Sequence, residues 1–230
     1  MFDAYLVPIA REGRPFILIF AVATVLLWFW IPGLAIPGAI LTLWCVYFFR
    51  DPNRVTPTRP GLVISPADGR VVAVGPAPWP KELEMGDGVP MPVRIGVFMD
   101  VFDCHVNRNP IDGKIVKLAY VPGAFVNASL DKASEENERQ IVLMEGRESQ
   151  PVAYVQIAGL VARRIVCKLT EGQTVMAGER MGLIRFGSRV DVYLPNGSAP
   201  FVVEGQRCVA GETVLADLAS NEAQRTGAVR

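Results

Sequence analysis

The chain has 230 residues, half of them hydrophobic, and its 23 basic and 23 acidic side chains cancel. This balance excludes a disordered polyanion and a nucleic-acid binder led by a basic surface, and the length suits one ordinary domain with an appendage. Four cysteines at 45, 104, 167 and 208 form no Cys-x-x-Cys pair, which reads as reduced thiols in a cytoplasmic compartment; a single histidine, His105, rules out zinc sites built on several histidines, and no metal is expected.

The apolar excess is concentrated near the N-terminus. No charged residue occurs from Pro15 to Phe49. Residues 15–31 form one apolar arm, Pro32-Gly33 breaks it, Leu34 to Pro37 links, and Gly38 to Phe49 forms a second arm. Arms of 17 and 12 residues reach about 25 and 18 Å as helices, short of a hydrocarbon core of about 30 Å. Basic residues flank both ends, Arg11 and Arg14 before and Arg50, Arg54 and Arg59 after, so both ends are expected on the cytoplasmic face. A signal peptide fits poorly, because no small-x-small cleavage site follows. The pattern predicts an apolar α-helical hairpin over 1–49, embedded in or dipping into the cytoplasmic face of the cell membrane; the competing reading is a hairpin that packs on its own protein.

Residues 50–60, polar and proline-rich, read as a linker. From 61 to 230 the sequence turns to short β-prone runs punctuated by Gly and Pro: Leu62–Ile64, Arg70–Val74, Val93–Met99, Lys114–Val121, Gln140–Met144, Val152–Ile157, Arg163–Leu169 and Met181–Phe186. Only Leu130–Glu138 looks weakly helical or irregular. The class is mainly β. Glu171-Gly172-Gln173-Thr174-Val175-Met176-Ala177-Gly178-Glu179 recurs 33 residues later as Glu204-Gly205-Gln206-Arg207-Cys208-Val209-Ala210-Gly211-Glu212. Each copy reads turn, strand, turn, the pattern of barrel-sandwich hybrid folds with internal quasi-symmetry.

Between the copies stands Gly187-Ser188. A hydroxyl next to an unhindered glycine carbonyl can attack it, shift the peptide to an ester and split the chain, leaving a pyruvoyl ketone on the new N-terminus. Gly197-Ser198 has the same two residues, but prolines bracket it and it reads as a plain turn. Three further clusters carry suitable chemistry. Asp68 sits in Ser65-Pro66-Ala67-Asp68-Gly69-Arg70, where a carboxylate beside glycine is also ordinary turn chemistry. His105 sits in Phe102-Asp103-Cys104-His105-Val106-Asn107-Arg108-Asn109-Pro110 and is the one side chain with a reference pKa near neutrality. The polar run from Asn127 to Arg139, with Lys132 and Asn137, is either a solvated loop or a holder of phosphate or carboxylate.

Taken in order, the blocks Ser-Pro-Ala-Asp-Gly-Arg-Val, Phe-Asp-Cys-His-Val-Asn-Arg-Asn-Pro, Asn-Ala-Ser-Leu-Asp-Lys-Ala-Ser-Glu-Glu-Asn-Glu-Arg and Phe-Gly-Ser-Arg-Val-Asp, behind an apolar hairpin, resemble the phosphatidylserine decarboxylase proenzymes of the short bacterial and archaeal type. The resemblance implies self-cleavage between Gly187 and Ser188 into a large β chain, 1–187, and a small α chain, 188–230, which stay together as a heterodimer. It implies that Ser188 becomes a covalent pyruvoyl cofactor and that phosphatidylserine in the membrane is decarboxylated to phosphatidylethanolamine through a Schiff base. Asp68 matches the aspartate implicated in self-cleavage, and His105 the first histidine of the central motif, proposed to handle a proton. One position departs. Long-form members carry a second histidine three residues on, where this chain has Arg108, which stays protonated and cannot act as the same base. Either His105 serves both steps or Asp68 activates Ser188 by another route, and Arg108 becomes a candidate for the substrate's phosphate or carboxylate.

Three other readings compete, of which a metallopeptidase of similar hybrid fold needs several histidines at a zinc where His105 stands alone. Asp131-Lys132-Ala133 matches the core of a lipoylation motif, as a carrier domain would, but it precedes both repeat copies instead of following a Gly-x-x-Val-x-x-Gly segment. A membrane-tethered scaffold of hybrid β fold without activity would keep one intact chain and an unmodified Ser188.

Overall fold

The computed structural model describes residues 7–86, 88–123, 136–146, 150–159, 164–185 and 188–228. Two helices, α1 (Arg14–Trp30) and α2 (Pro32–Phe48), form the expected hairpin, with a single non-helical residue, Ile31, at the tip. The second arm is longer than the sequence suggests. Pro32 does not end a helix here but starts one, because at the first helical position its missing N–H costs nothing. Pro37 is accommodated inside α2, where the carbonyl its ring crowds belongs to the small Gly33. Both arms are therefore 17 residues, about 25 Å each. They pack through small and hydroxyl residues: Thr24 and Thr42 lie Oγ1 to Oγ1 at 3.1 Å, and a Cβ at Gly38 would stand 2.8 Å from Thr24 Oγ1. That is how helices associate where hydrophobicity gives no net drive. With its preceding turn, α1 is long and apolar enough to cross a membrane, and 6% of that stretch is buried.

The rest is mainly β. Thirteen strands are assigned among the described residues. Eight build one antiparallel sheet in the order β12 (Arg207–Cys208), β2 (Gly69–Pro76), β3 (Val93–Met99), β11 (Ser188–Leu194), β7 (Pro151–Ala158), β6 (Arg139–Glu145), β5 (Gly113–Val121), β9 (Thr174–Val175). Three more, β4 (Val106–Arg108), β10 (Arg180–Ile184) and β8 (Ile165–Cys167), form a second sheet, and β1 (Leu62–Ile64) pairs with β13 (Val214–Asp217). The main core draws on both edges of the large sheet, with Cys208 from β12 and Val175 from β9 in one cluster, so the sheet curls around it.

The sheet order is symmetric about the β11–β7 pair, and the hydrogen bonds repeat across it. Gly172 N–H donates to Ile115 O and Gly205 N–H to Val71 O, both at 2.8 Å; Leu118 N–H reaches Glu171 and Val74 N–H reaches Glu204. The recurring Glu-Gly-Gln segments are thus the two edge strands with their turns. Their glycines at 172, 178, 205 and 211 have φ between +78° and +87°, the left-handed region that only glycine enters freely. The repeat also extends into the first half: Ser65-Pro66-Ala67-Asp68-Gly69-Arg70-Val71 is matched by Asn109-Pro110-Ile111-Asp112-Gly113-Lys114-Ile115.

Residues 50–60 have no regular secondary structure yet are bound tightly to the β domain. Asp51 and Asn53 bond Arg180, Arg54 bonds Asp68, Val55 N–H reaches Glu212, and Arg59 pairs with Asp217. The segment is a strap that fixes the hairpin to the sheet.

Candidate active site

The sequence pattern puts Ser188 after a strand; in the structure it opens one. β11 lies between β3 and β7, with Ser188 opposite Met99 on one side and Ala158 on the other. Side chains alternate along a strand, and Ser188, Val190, Val192 and Leu194 are all buried, the three aliphatic ones in the core between the sheets. Arg189, Asp191 and Tyr193 take the opposite face. There Arg189 Nε donates to Asp191 Oδ1 at 2.5 Å, and Gly96 on β3 leaves the room, since a Cβ would meet both side chains at 2.9 Å. Charges in a buried pair are tolerated only when matched, so this ion pair clamps the residue next to Ser188.

Ser188 is fully buried, and its neighbourhood is polar. Its Oγ lies 4.0 Å from Met99 Sδ, which also receives Asn107 Nδ2 at 3.5 Å. Asn107 Oδ1 accepts from Gln156 Nε2 at 2.8 Å. Gln156 faces Val190 across the β11–β7 pair, so it stands diagonal to Ser188 at about 7–8 Å between backbones, within reach of a long side chain. Its Oε1 is shielded from solvent and has no hydrogen-bond partner among the described residues. An orphaned buried acceptor costs about 1–3 kcal/mol, so a donor is wanted there.

His105 reaches the same end of the domain from the second sheet. It immediately precedes β4, and Ile184 N–H, at the end of β10, donates to its carbonyl at 3.3 Å. This anchors His105 beside the segment that leads into Ser188. The ring is buried and tilted against Phe48, 4.2 Å between ring centres, at the last turn of α2. Burial pushes its pKa down to about 4, against a smaller upward pull from the Asp103 carbonyl. The ring is therefore neutral at physiological pH. Its Nδ1 lies 3.0 Å from that carbonyl, which assigns the proton to Nδ1 and the lone pair to Nε2. Asp103 in turn is tied to Arg207 of β12.

The other expected residues divide. Asp68 makes no hydrogen bond to Ser188 among the described residues. Its carboxylate takes Arg54 Nη2 at 2.8 and 3.1 Å and the Ala210 N–H at 2.7 Å. The last bond is a scaffold bond, because the matching Asp112 accepts Ala177 N–H at 2.8 Å in the other half. What sets Asp68 apart from Asp112 is Arg54, delivered by the strap. Arg108 gives its guanidinium to the carbonyls of Gly178 (2.7 Å) and Pro52 (2.8 Å), so it fastens the strap to the repeat turn. Asn137 is buried and donates to Ala158 O at 2.7 Å, framing the strand residue that faces Ser188. Gly187 and Lys132 lie outside the described residues. Gly197-Ser198 is an ordinary turn, with Gly197 at φ +84° and Ser198 N–H bonded to Pro195 O.

Residues 41–216 match the phosphatidylserine decarboxylase family. The chain belongs to the phosphatidylserine decarboxylase family. It is 58% identical over 227 residues to the phosphatidylserine decarboxylase proenzyme of Rhodospirillum rubrum, covering 98% of this chain and 96% of that protein. It is 61% identical over 224 residues to the proenzyme of Paramagnetospirillum magneticum, covering 97% and 92%, and 56% identical over 231 residues to that of Cereibacter sphaeroides, covering 100% and 98%.

Within this decarboxylase fold, the sequence singles out Ser188 and His105 as candidates but not Asn107 or Gln156. Asn107 lies in a motif that the sequence does single out, as a buried Asn directly between strand-forming neighbours. Gln156 has a weaker signal, one polar residue on an otherwise apolar strand, Val152–Ala158.

Proposed function

We propose that this chain is a phosphatidylserine decarboxylase proenzyme that cuts itself between Gly187 and Ser188 and uses the resulting pyruvoyl group at residue 188 to convert phosphatidylserine to phosphatidylethanolamine at the cytoplasmic face of the membrane. The observation that carries the reading is the placement of Ser188: buried, first on the central strand, and diagonal to Gln156, whose Oε1 has no partner among the described residues, with a neutral histidine held beside the segment before it. These residues suit a small carbonyl group that receives an amine. When formed, that group supplies an electron sink for the pair left behind by departing CO₂.

In maturation the Ser188 hydroxyl adds to the Gly187 carbonyl and the amide nitrogen leaves, giving an ester. Loss of the Ser188 α-proton then eliminates the Gly187 carboxylate, and hydrolysis of the resulting dehydroalanine releases ammonia. The strand clamps on both sides of Ser188 supply positioning, worth several kcal/mol when the geometry is good. In turnover Gln156 Oε1 accepts an N–H of the incoming ammonium. His105 enters as a base. Neutral, with its lone pair on Nε2, it takes a proton from the substrate's ammonium and returns one to the carbon that loses CO₂.

Asp68 keeps the self-cleavage role that the family likeness gives it, and its twin provides a control. Asp→Asn retains an oxygen for the alanine N–H and removes the charge. Asp68→Asn is expected to slow self-cleavage about 100-fold, while Asp112→Asn cleaves like the parent; denaturing gels over time read both. Equal behaviour of the two variants would reduce Asp68 to scaffold.

The hairpin fits a lipid substrate, because a headgroup tied to long acyl chains is met at the bilayer surface. The direct test is purified protein in phosphatidylserine vesicles. Phosphatidylethanolamine and CO₂ are expected in equal amounts, and hydroxylamine, which captures ketones, should abolish both. An active sample indifferent to hydroxylamine would refute the pyruvoyl chemistry.

A further inference from the structure

Arg185 directly follows β10, three positions before Ser188, and its backbone N–H donates to the Arg164 carbonyl at 3.3 Å. Its guanidinium bonds to no described residue. It lies over the ring of Phe16, 4.9 Å from the ring centre, and its Nε is removed from solvent with no acceptor among the described residues. Burial and the like charge of Arg164 both work against the ionised form, and Glu12 alone favours it. Glu12 is itself held by Lys168 Nζ at 2.6 Å. On the Arg164 side, Glu138 accepts from Ile165 N–H at 3.4 Å. A guanidinium whose water-excluded N–H is answered by no described residue, on a side chain bonded through its backbone to Arg164, provides the surroundings of an oxyanion.

The place narrows the kind of oxyanion. Phe16 belongs to the first turn of α1, so Arg185 sits at the foot of the apolar hairpin. Beside it a cavity of about 250 Å³ runs between the N-terminal segment and β10; its Lys168–Glu12 and Arg180–Asp51 pairs are internally matched, and Arg11 and Arg14 add further positive charge. In the uncut chain three residues span at most about 10 Å of backbone, which keeps Arg185 tethered near residue 188.

We propose that Arg185, with Arg164 beside it, binds the phosphodiester of an anionic phospholipid headgroup at the foot of α1. This rests on the function proposed above for the substrate's identity. The group comes either from the substrate itself, which would set the distance between phosphate and amine, or from a neighbouring anionic lipid.

Arg185→Gln and Arg185→Lys, each checked for complete self-cleavage on a gel, are assayed with dihexanoyl phosphatidylserine below its micelle concentration. Loss of a charged hydrogen bond raises KM by about ten- to a hundredfold in Arg185→Gln, with part restored by Arg185→Lys. That result assigns the substrate's own phosphodiester. An unchanged KM, combined with loss of the parent's response to phosphatidylglycerol in phosphatidylcholine vesicles, assigns the neighbouring lipid. If both readouts match the parent, the proposal is overturned. Binding of dihexanoyl phosphatidylglycerol to uncleaved Ser188→Ala, with and without Arg185→Gln, needs no turnover. It decides the phosphate site even if the decarboxylase assignment fails.

Discussion

Ser188→Ala is expected to give a single chain of full length with decarboxylation at background, where the parent gives two fragments whose masses meet at the 187/188 junction. The structure makes this substitution clean. Alanine keeps the Cβ that packs inside the sheet, and the hydroxyl it removes makes only a distant approach to Met99 Sδ, at 4.0 Å, among the described residues. No burial is sacrificed and no buried donor or acceptor is left behind, so the stability change should stay within about 0.5 kcal/mol. Failure to cleave would then report the missing nucleophile and not a misfolded sheet. Intact mass with a denaturing gel checks it, and an uncut parent that still decarboxylates phosphatidylserine would end the proposal.

His105→Asn should lower turnover about 10²- to 10⁴-fold, the usual worth of a placed acid–base group. Asparagine can still donate to the Asp103 carbonyl through its amide, so the local frame survives while the proton carrier is lost. A second readout separates this from packing. The unfolded chain protonates His105 below pH 6.5, the folded chain only below about 4. Between those values the unfolded state binds more protons, so unfolding free energy falls as pH falls through that window, by about 3 kcal/mol in all, and is unaffected above it. Thermal or urea melts from pH 4 to 8 should show this component in the parent and lack it in His105→Asn. A variant with parental turnover would free His105 from its role; a variant with the parental pH slope would contradict its burial as a neutral ring.

How much of this is legible in the sequence depends on whether a feature is local. Uncharged length and flanking arginines give the hairpin, and a lone histidine in a polar run gives His105. The second helix reads short when proline counts as a breaker, although at Pro32 it occupies the one helical position that favours it. The strand that carries Ser188 escapes notice even though Val190-Asp191-Val192-Tyr193 alternates, because its second face is buried too and holds Arg189 and Asp191, which look like surface residues until they are seen paired. The repeat is recognisable along the chain in its second half only. In the first half, Asp68-Gly69-Arg70 and Asp112-Gly113-Lys114 stand at a different spacing from the edge segments, since the intervening loops differ in length. Gln156 and Arg185 are invisible for a physical reason: what singles them out is the lack of a partner among the described residues, and no pattern along the chain encodes that.

The position of β11 has a consequence for the proposed products. A nick just ahead of Ser188 severs one bond at the margin of a strand that remains zipped to β3 and β7 on either side. The tail beyond it also supplies β12 to one rim of the sheet and β13 to the partner of β1. The two pieces are therefore interlocked through the heart of the fold, and they can drift apart only if the whole domain melts.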